Sequence, residues 1–334
     1  YGWSPYGQVP ASEQLAALRD ELIYPHINKK DVAVTIYPPF AQMLFMAANA
    51  ISDSLLGVKV VMTIMDGIVI AAILYWLKVV NLPPERVIVY AWHPLPIWEF
   101  VSQGHIDAGA TALLMLAIVA AWTQRQSLVG GLFALAVMTK YFPVVVMAAV
   151  WRRWDWRMPV VFIISCILLV LPYVVLGPPN ILGYLGTHLD NEGYRAGLGF
   201  HPLWLLRAYG FGDVPGWVLV AGALPLLGGL ALYALFRRPP DEFKAGHLVL
   251  LAAAFVWLTS PHYSWYFAWL IPLLVVHTSV SVLAMTLFSA ILYIPKVAGG
   301  VTWTELYWLT YYVPIVIGLC VYLLRSRINP HFKI

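Results

Sequence analysis

From residue 37 onward the chain is a succession of apolar runs separated by short polar or proline-marked stretches. The runs fall at 37–56, 58–80, 87–102, 106–122, 128–149, 158–177, 216–236, 246–259, 265–277, 279–296 and 303–325. A helix that crosses a bilayer needs about 20 apolar residues. The pattern therefore predicts an all-α, polytopic membrane protein with about eleven transmembrane helices in this chain. The two runs flanking residue 260 are short and either cross separately or form one broken helix. Residues 1–36 are polar and proline-punctuated, and too charged to enter lipid. There, Ser12 ahead of Glu13 and Gln14 predicts a short capped helix. Its Leu15, Leu18 and Leu22 make it amphipathic, suited to lie on the bilayer surface. Two parts follow: a loop over 1–36, and one transmembrane helical domain over 37–334.

Composition supports lipid as the solvent. Of 334 residues, 61% are hydrophobic and 11% charged, against about 25% charged in a soluble domain. The 15 Trp and 19 Tyr suit interfacial aromatic belts. Cys166 and Cys320 both lie in apolar runs, which suggests buried thiols rather than a disulfide or metal site. No basic tract, phosphate-binding loop or dinucleotide fingerprint is present, so neither nucleic acid nor a nucleotide cofactor is expected as a partner.

Basic loops set orientation. "WRRWDWR" (151–157), "RRPPDEFK" (237–244) and "RSRINPHFK" (325–333) are separated by even numbers of runs, so all three can be cytoplasmic together. That puts residues 1–36, the loop 178–215 and "SPHYSW" (260–265) on the outer face of a plasma membrane. The motif "WHPLPIWEFVSQGHIDAGA" (92–110) falls on the cytoplasmic side in this count. For it to touch a substrate at the outer face, it must fold back or the cavity must run deep.

A few polar residues stand out from this background. In "SPHYSWYFAW" (260–269), Pro261 breaks a helix beside His262 and Tyr263. The break either holds a phosphate or sugar, or is a short aromatic loop at the interface. Within 92–110, His93, Glu99, His105 and Asp107 either join helices or touch substrate. The two-residue spacing of His105 and Asp107 is wrong for a helical metal pair, and no metal site is expected. Asp66 and Lys140 each lie about 12–15 Å deep at ~1.5 Å per residue. Equal depth and opposite sign suggest a buried pair between them, with a lipid-phosphate role for Lys140 as the other reading. In the outer loop, Asp190, Glu192 and Arg195 offer contacts to sugar hydroxyls or phosphate. Pro38 and Pro39 lack N–H groups and can start a helix without orphan donors. They either anchor that start or also stiffen the loop beside a reaction centre.

Four motifs carry a resemblance: "LIYPHIN…TIYPPFAQ" (22–42), "HPLPIWEFVSQGHIDA" (93–108), "TKYFP" with "WRRWDWR" (139–157), and "TSPHYSWYFAWLIPLL" (259–274). In this order and spacing the chain resembles glycosyltransferase family 87, polyprenol-phosphate-mannose-dependent mannosyltransferases of GT-C fold. The resemblance implies transfer of a hexose, typically mannose, from a polyprenyl-phosphate carrier to a lipid or glycan acceptor on the non-cytoplasmic face. It implies no cofactor. It assigns substrate contacts to His262 and Tyr263 and includes Tyr37, Pro38 and Pro39. His105, Asp107, Lys140, Glu192 and Arg195 join them as candidate substrate-binding residues. The family's catalytic Asp and an initial membrane helix would precede Tyr1, so the chain reads as part of a product of about twelve helices, its base lying upstream. Asp20 and Asp31 do not match that base. The alternative is a transporter or lipid flippase that uses Asp66, Glu99 and Lys140 as a charged path. Internal inverted repeats are lacking, which argues against it.

Overall fold

A computed structural model describes residues 4–177, 181–191, 200–212, 214–239, 242–297 and 300–328. Among these residues every regular element is helical. Four helices are long and apolar enough to cross a bilayer: Leu55–Val79, Arg157–Val175, Gly216–Phe236 and Glu305–Ser326. Pro94–Ser102 and Asp107–Trp122 qualify as a pair, bent by 118°. Five other apolar helices are shorter: Pro39–Ile51, Gln126–Val137, Ala245–Thr259, Trp265–Leu274 and Val280–Tyr293. Helix length alone therefore does not reach the expected eleven full spans.

The causes are local. Pro39–Ile51 has 13 residues, about 20 Å of helix, and stops at Ser52–Ser54 before the Leu55–Val79 helix begins. The run at 128–149 is two segments, because Gln126–Val137 ends and the backbone turns at 138–141 ahead of Pro143. Ser260, held at φ 41°, ends Ala245–Thr259. Gly104, at φ 75°, makes the sharp turn between Pro94–Ser102 and Asp107–Trp122.

Contacts between element ends sort into two groups. At one end the basic loops meet. The Arg152 N–H donates to Gln126 Oε1 (3.1 Å), the Arg153 guanidinium to the Arg238 carbonyl (2.9 Å), and Arg238 to the Trp151 carbonyl (2.6 Å). Arg86 reaches Thr278 Oγ1 at 2.9 Å, and Phe243 packs against both Trp76 and Trp122. At the other end, the Phe40 and Ala41 N–H groups donate to the Met138 carbonyl (2.8 and 3.2 Å). Tyr173 Oη donates to the Pro39 carbonyl. His105 stacks on Trp265, and Trp303 packs on His262. Both ends of the 126–150 segment lie among the basic loops, with Lys140 at the far end, so it runs up and back.

This arrangement corrects the expected position of residues 102–107. They belong with the outer motifs, because the bend at Gly104 folds the segment back. A Cβ at Gly104 would lie 3.4 Å from the side chains of Val58 and Lys59, which places the start of Leu55–Val79 at this same end. Pro39–Ile51 thus begins and ends on one side. The lost crossing there is offset by the extra turn at 138–141, and the basic loops at 151–157 and 237–244 still meet; residues 329–333 of the third lie outside the described residues.

Two further expectations change. Glu13–Leu18 is a short 3₁₀ turn, and Ser12 makes no side-chain cap. The chain leaves that turn because Asp20 Oδ1 accepts from the Leu22 and Ile23 N–H groups instead. The cysteines are free, as read, but they are not buried. Cys166 is half-buried, and Cys320 is exposed on a helix surface that faces lipid in a spanning fold.

Candidate functional site

The prolines at 38 and 39 explain how the first loop meets the bundle. Pro38 is the N-cap of the 39–51 helix, and Pro39 has no N–H to satisfy. The next two N–H groups both reach the Met138 carbonyl. This stitches the end of the first loop to the turn carrying Lys140. Just before the prolines, the Tyr37 carbonyl accepts from Tyr6 Oη (2.8 Å) and Gln42 Nε2 (3.1 Å). Tyr37 is thereby fixed at the join.

Lys140 is paired with Asp107, not with Asp66. Its ammonium lies 2.8 and 2.7 Å from the two carboxylate oxygens of Asp107. The Asp107 side chain is 1% exposed, and that of Lys140 is 18% exposed. Asp66 instead accepts a hydrogen bond from Tyr90 Oη. The depth argument failed because it assumed straight spans. The turn at 138–141 and the bend at Gly104 bring residues 33 apart into one pair. The Lys140 ammonium also sits 4.7 Å from the Tyr266 ring centroid, in cation–π range.

Lys140, with Asp107 behind it, stands at the wall of a cavity of about 1090 Å³. Most of that cavity is apolar, formed by Trp217, Val220, Leu224 and Phe255, with Tyr37, Tyr266 and Lys140 at one side. A second cavity of about 860 Å³ lies mostly within the first loop; its wall is largely apolar but also carries Gln8, Arg19, Asp20, Asn28 and Lys29. Ile36, Tyr37 and His188 line both. Leu15 and Leu18 line the second cavity, which accounts for their apolar spacing without a bilayer surface. Asp20 also lines it, but its Oδ1 is engaged with backbone N–H groups. That of Ile23 foremost holds its carboxyl below the usual carboxylate range. Such a carboxylate is a weak base. Asp31 and Asp190 are exposed, and Glu192 and Arg195 lie outside the described residues.

His262 and Tyr263 do not line either cavity; Pro261 and Tyr266 of the same motif line the larger one. His262 is 8% exposed. It packs between Tyr263 (4.1 Å between centroids) and Trp303 (4.6 Å). Tyr263 stacks on Trp265 at 4.3 Å and 8°, and Trp265 stacks on His105 at 4.5 Å. Behind His105 lies Glu99, fully buried, with Oε2 3.4 Å from His105 Nε2 and Oε1 accepting from Tyr293 Oη at 2.7 Å. Glu99 sits on the π-helical turn Ile97–Ser102, and a second π-helical turn, Trp308–Tyr312, supplies Tyr311 Oη to the Pro261 carbonyl at 2.7 Å. Such turns are frequent at functional sites. The "SPHYSW" loop is thus held from below by an aromatic stack resting on a buried carboxylate. His93 has a structural role: its Nδ1 accepts from the Leu95 N–H and its Nε2 faces Thr286 Oγ1 at 3.1 Å.

Glu99, His105 and the "SPHYSW" loop therefore form one unit, beside but separate from the Lys140–Asp107 pair. The three charges of the transporter reading, Asp66, Glu99 and Lys140, have three different sets of partners and make no continuous path. Tyr293→Phe removes a donor to a buried carboxylate, which should cost about 1.5–3 kcal/mol. A thermal melt of the detergent-solubilised protein checks this, and an unchanged midpoint would mean that Glu99 is protonated or otherwise satisfied.

The sequence reading missed His188, and it took in Tyr266 only as one of the tyrosines of "SPHYSWYFAW". His188 lies in a short loop helix whose periodicity gives no signal. Among the described residues no group of three or more His, Cys, Asp or Glu side chains is placed to hold a metal ion.

In comparisons with known proteins, no curated protein and no solved structure matches the chain. The sequence profile of glycosyltransferase family 87 matches residues 35–261. That stretch begins beside Tyr37, contains the Lys140–Asp107 pair, covers more than half of the chain and ends at the "SPHYSW" loop. The chain belongs to glycosyltransferase family 87.

Proposed function

We propose that the protein moves a hexose, typically mannose, from a polyprenyl-phosphate carrier to a lipid or glycan acceptor. The observation that carries this reading is the juxtaposition of two unlike cavities. One is apolar with the Lys140 ammonium in its wall; the other, mostly within the first loop, also carries Gln8, Arg19, Asp20, Asn28 and Lys29 in its lining. An isoprenoid chain suits the wall made by Trp217, Val220, Leu224 and Phe255. Its phosphate suits Lys140, because the phosphate monoester that departs needs positive charge or hydrogen bonds. The acceptor occupies the loop cavity, and the anomeric carbon sits where the two meet, at Ile36, Tyr37 and His188.

In this reading the acceptor hydroxyl attacks the anomeric carbon, and the bond from that carbon to the phosphate oxygen breaks with its electron pair going to the phosphate. The hydroxyl proton goes to a carboxylate acting as general base, as the family resemblance implies. His262 and Tyr263 act through the shape of the "SPHYSW" loop, whose Pro261 and Tyr266 reach the cavity. The end of the bundle with the basic loops is cytoplasmic by the positive-inside rule, so the site faces outward from the plasma membrane. The fold is of GT-C type, with short and broken helices completing about eleven passes.

The test is sugar transfer by the full chain in liposomes, comparing radiolabelled polyprenyl-phosphate mannose with a nucleotide-linked mannose. Labelled product from the polyprenyl donor alone is expected. Transfer directly from the nucleotide sugar, or from neither, would overturn the reading.

A further inference from the structure

We infer that His188 is a catalytic residue that donates a proton to the departing phosphate. The inference rests on the donor reading above. Its starting point is a charge count. A sugar phosphodiester carries one negative charge, and breaking its bond to the anomeric carbon leaves a monoester with a second. Lys140 cannot neutralise that extra charge alone. It is bound through both oxygens of Asp107 at 2.8 and 2.7 Å, so the buried pair has no net charge. It anchors the phosphate as a hydrogen-bond donor and has no charge to spare for the change. Among the described residues lining the apolar cavity, the other basic side chain is His188.

The position of His188 fits that task. It is one of three residues that line both cavities, with Ile36 and Tyr37, and the other two cannot serve as acids near neutral pH. Bond breaking must occur at this junction, because the donor comes from one side and the acceptor from the other. Its helix, Leu185–Asn191, is anchored on the first loop. The Tyr184 N–H donates to the Thr35 carbonyl at 3.2 Å, and the His188 N–H to the Tyr184 carbonyl at 2.8 Å. Among the described residues, the charged groups facing this place are Lys140 with Asp107 behind it, and Arg19, Asp20 and Lys29 from the first loop; Asp190 follows on the same helix and is exposed. An imidazole is also matched to the task by its ordinary pKa of about 6.5, close to that of a phosphate monoester at about 6.

The step balances without a further reactant. The acceptor oxygen bonds to the anomeric carbon, and the carbon–oxygen bond to phosphate breaks. The electron pair stays on the phosphate oxygen, and the imidazolium proton passes to the phosphate. The neutral imidazole then regains a proton from water.

The experiment measures kcat against pH, together with donor binding, for the wild-type full chain, His188→Gln and His188→Asn. Losing a general acid costs about 10²–10⁴-fold. Wild-type turnover should fall on the alkaline side as the imidazolium is lost. Both variants should turn over about 10²-fold more slowly, without that alkaline limb. Donor binding and melting midpoint should stay close to wild type. Turnover within threefold of wild type in either variant would overturn the inference, as would a slowed enzyme that keeps the same alkaline limb. A wild-type protein inert towards the polyprenyl donor at every pH would instead overturn the donor reading, and the inference with it.

Discussion

Lys140→Met is expected to lower kcat by about 10²–10³-fold, the usual effect of removing one preorganised donor from a developing anion. It also strips the partner from Asp107, whose side chain is 1% exposed. An uncompensated buried charge costs about 3–5 kcal/mol, so this variant alone confuses catalysis with stability. The double variant Lys140→Met/Asp107→Leu separates them. Removing both charges restores much of the melting midpoint, because no bare carboxylate remains. Turnover stays low, because the phosphate has lost its donor. Activity that returns together with stability would show Lys140 to be structural. Additive losses in the melt would show that the two charges do not support one another.

The second large effect is expected at Gly183, a residue without chemistry of its own. Its φ is 54°, and a Cβ there would lie 1.9 Å from the Thr35 carbonyl oxygen. Gly183→Val therefore cannot keep the contact between the 181–191 segment and the first loop. The side chain it displaces is His188, at the junction of the two cavities. A shift of about 1 Å in a positioning group can cost 10²-fold in rate, and a loss of that order is predicted. The bundle core is remote from this contact, so the melting midpoint should stay within a few degrees. A wild-type rate in Gly183→Val would mean that the two loop segments need not touch for transfer. The helical interior alone would then make the site.

Much of this fold could be read from residues alone, for physical reasons. Apolar runs of membrane length and the scarcity of charge pointed to helices in lipid, because lipid tolerates little else. Pro38, Pro39 and Pro261 marked helix boundaries, and each stands at one; Pro143, inside the run at 128–149, drew no such reading. Lys140 and Tyr37, read as candidate substrate contacts, both line the apolar cavity. What the residues could not show was pairing across the fold. Depth along a straight helix suggested Asp66 as the partner of Lys140, whereas a turn at 138–141 and a bend at Gly104 give it Asp107. His262 drew attention as a titratable group at a helix break, yet it lies beneath Tyr263 and Trp303. His188 drew none, because a loop histidine becomes notable only once Thr35 and Tyr184 bring its helix against residues 150 positions earlier.

The central claim is that the apolar cavity holds the isoprenoid of a phosphate-linked sugar. It is tested most directly by photo-crosslinking the full chain with a polyprenyl-phosphate mannose bearing a diazirine on its isoprenoid chain, and mapping the labelled peptides. Label is predicted on Gly216–Phe236 and around Phe255, the apolar walls of that cavity, and excess unlabelled donor should compete it away. Label confined to a different cavity, near Ser281 and Ile315, or label that unlabelled donor does not displace, would contradict the account.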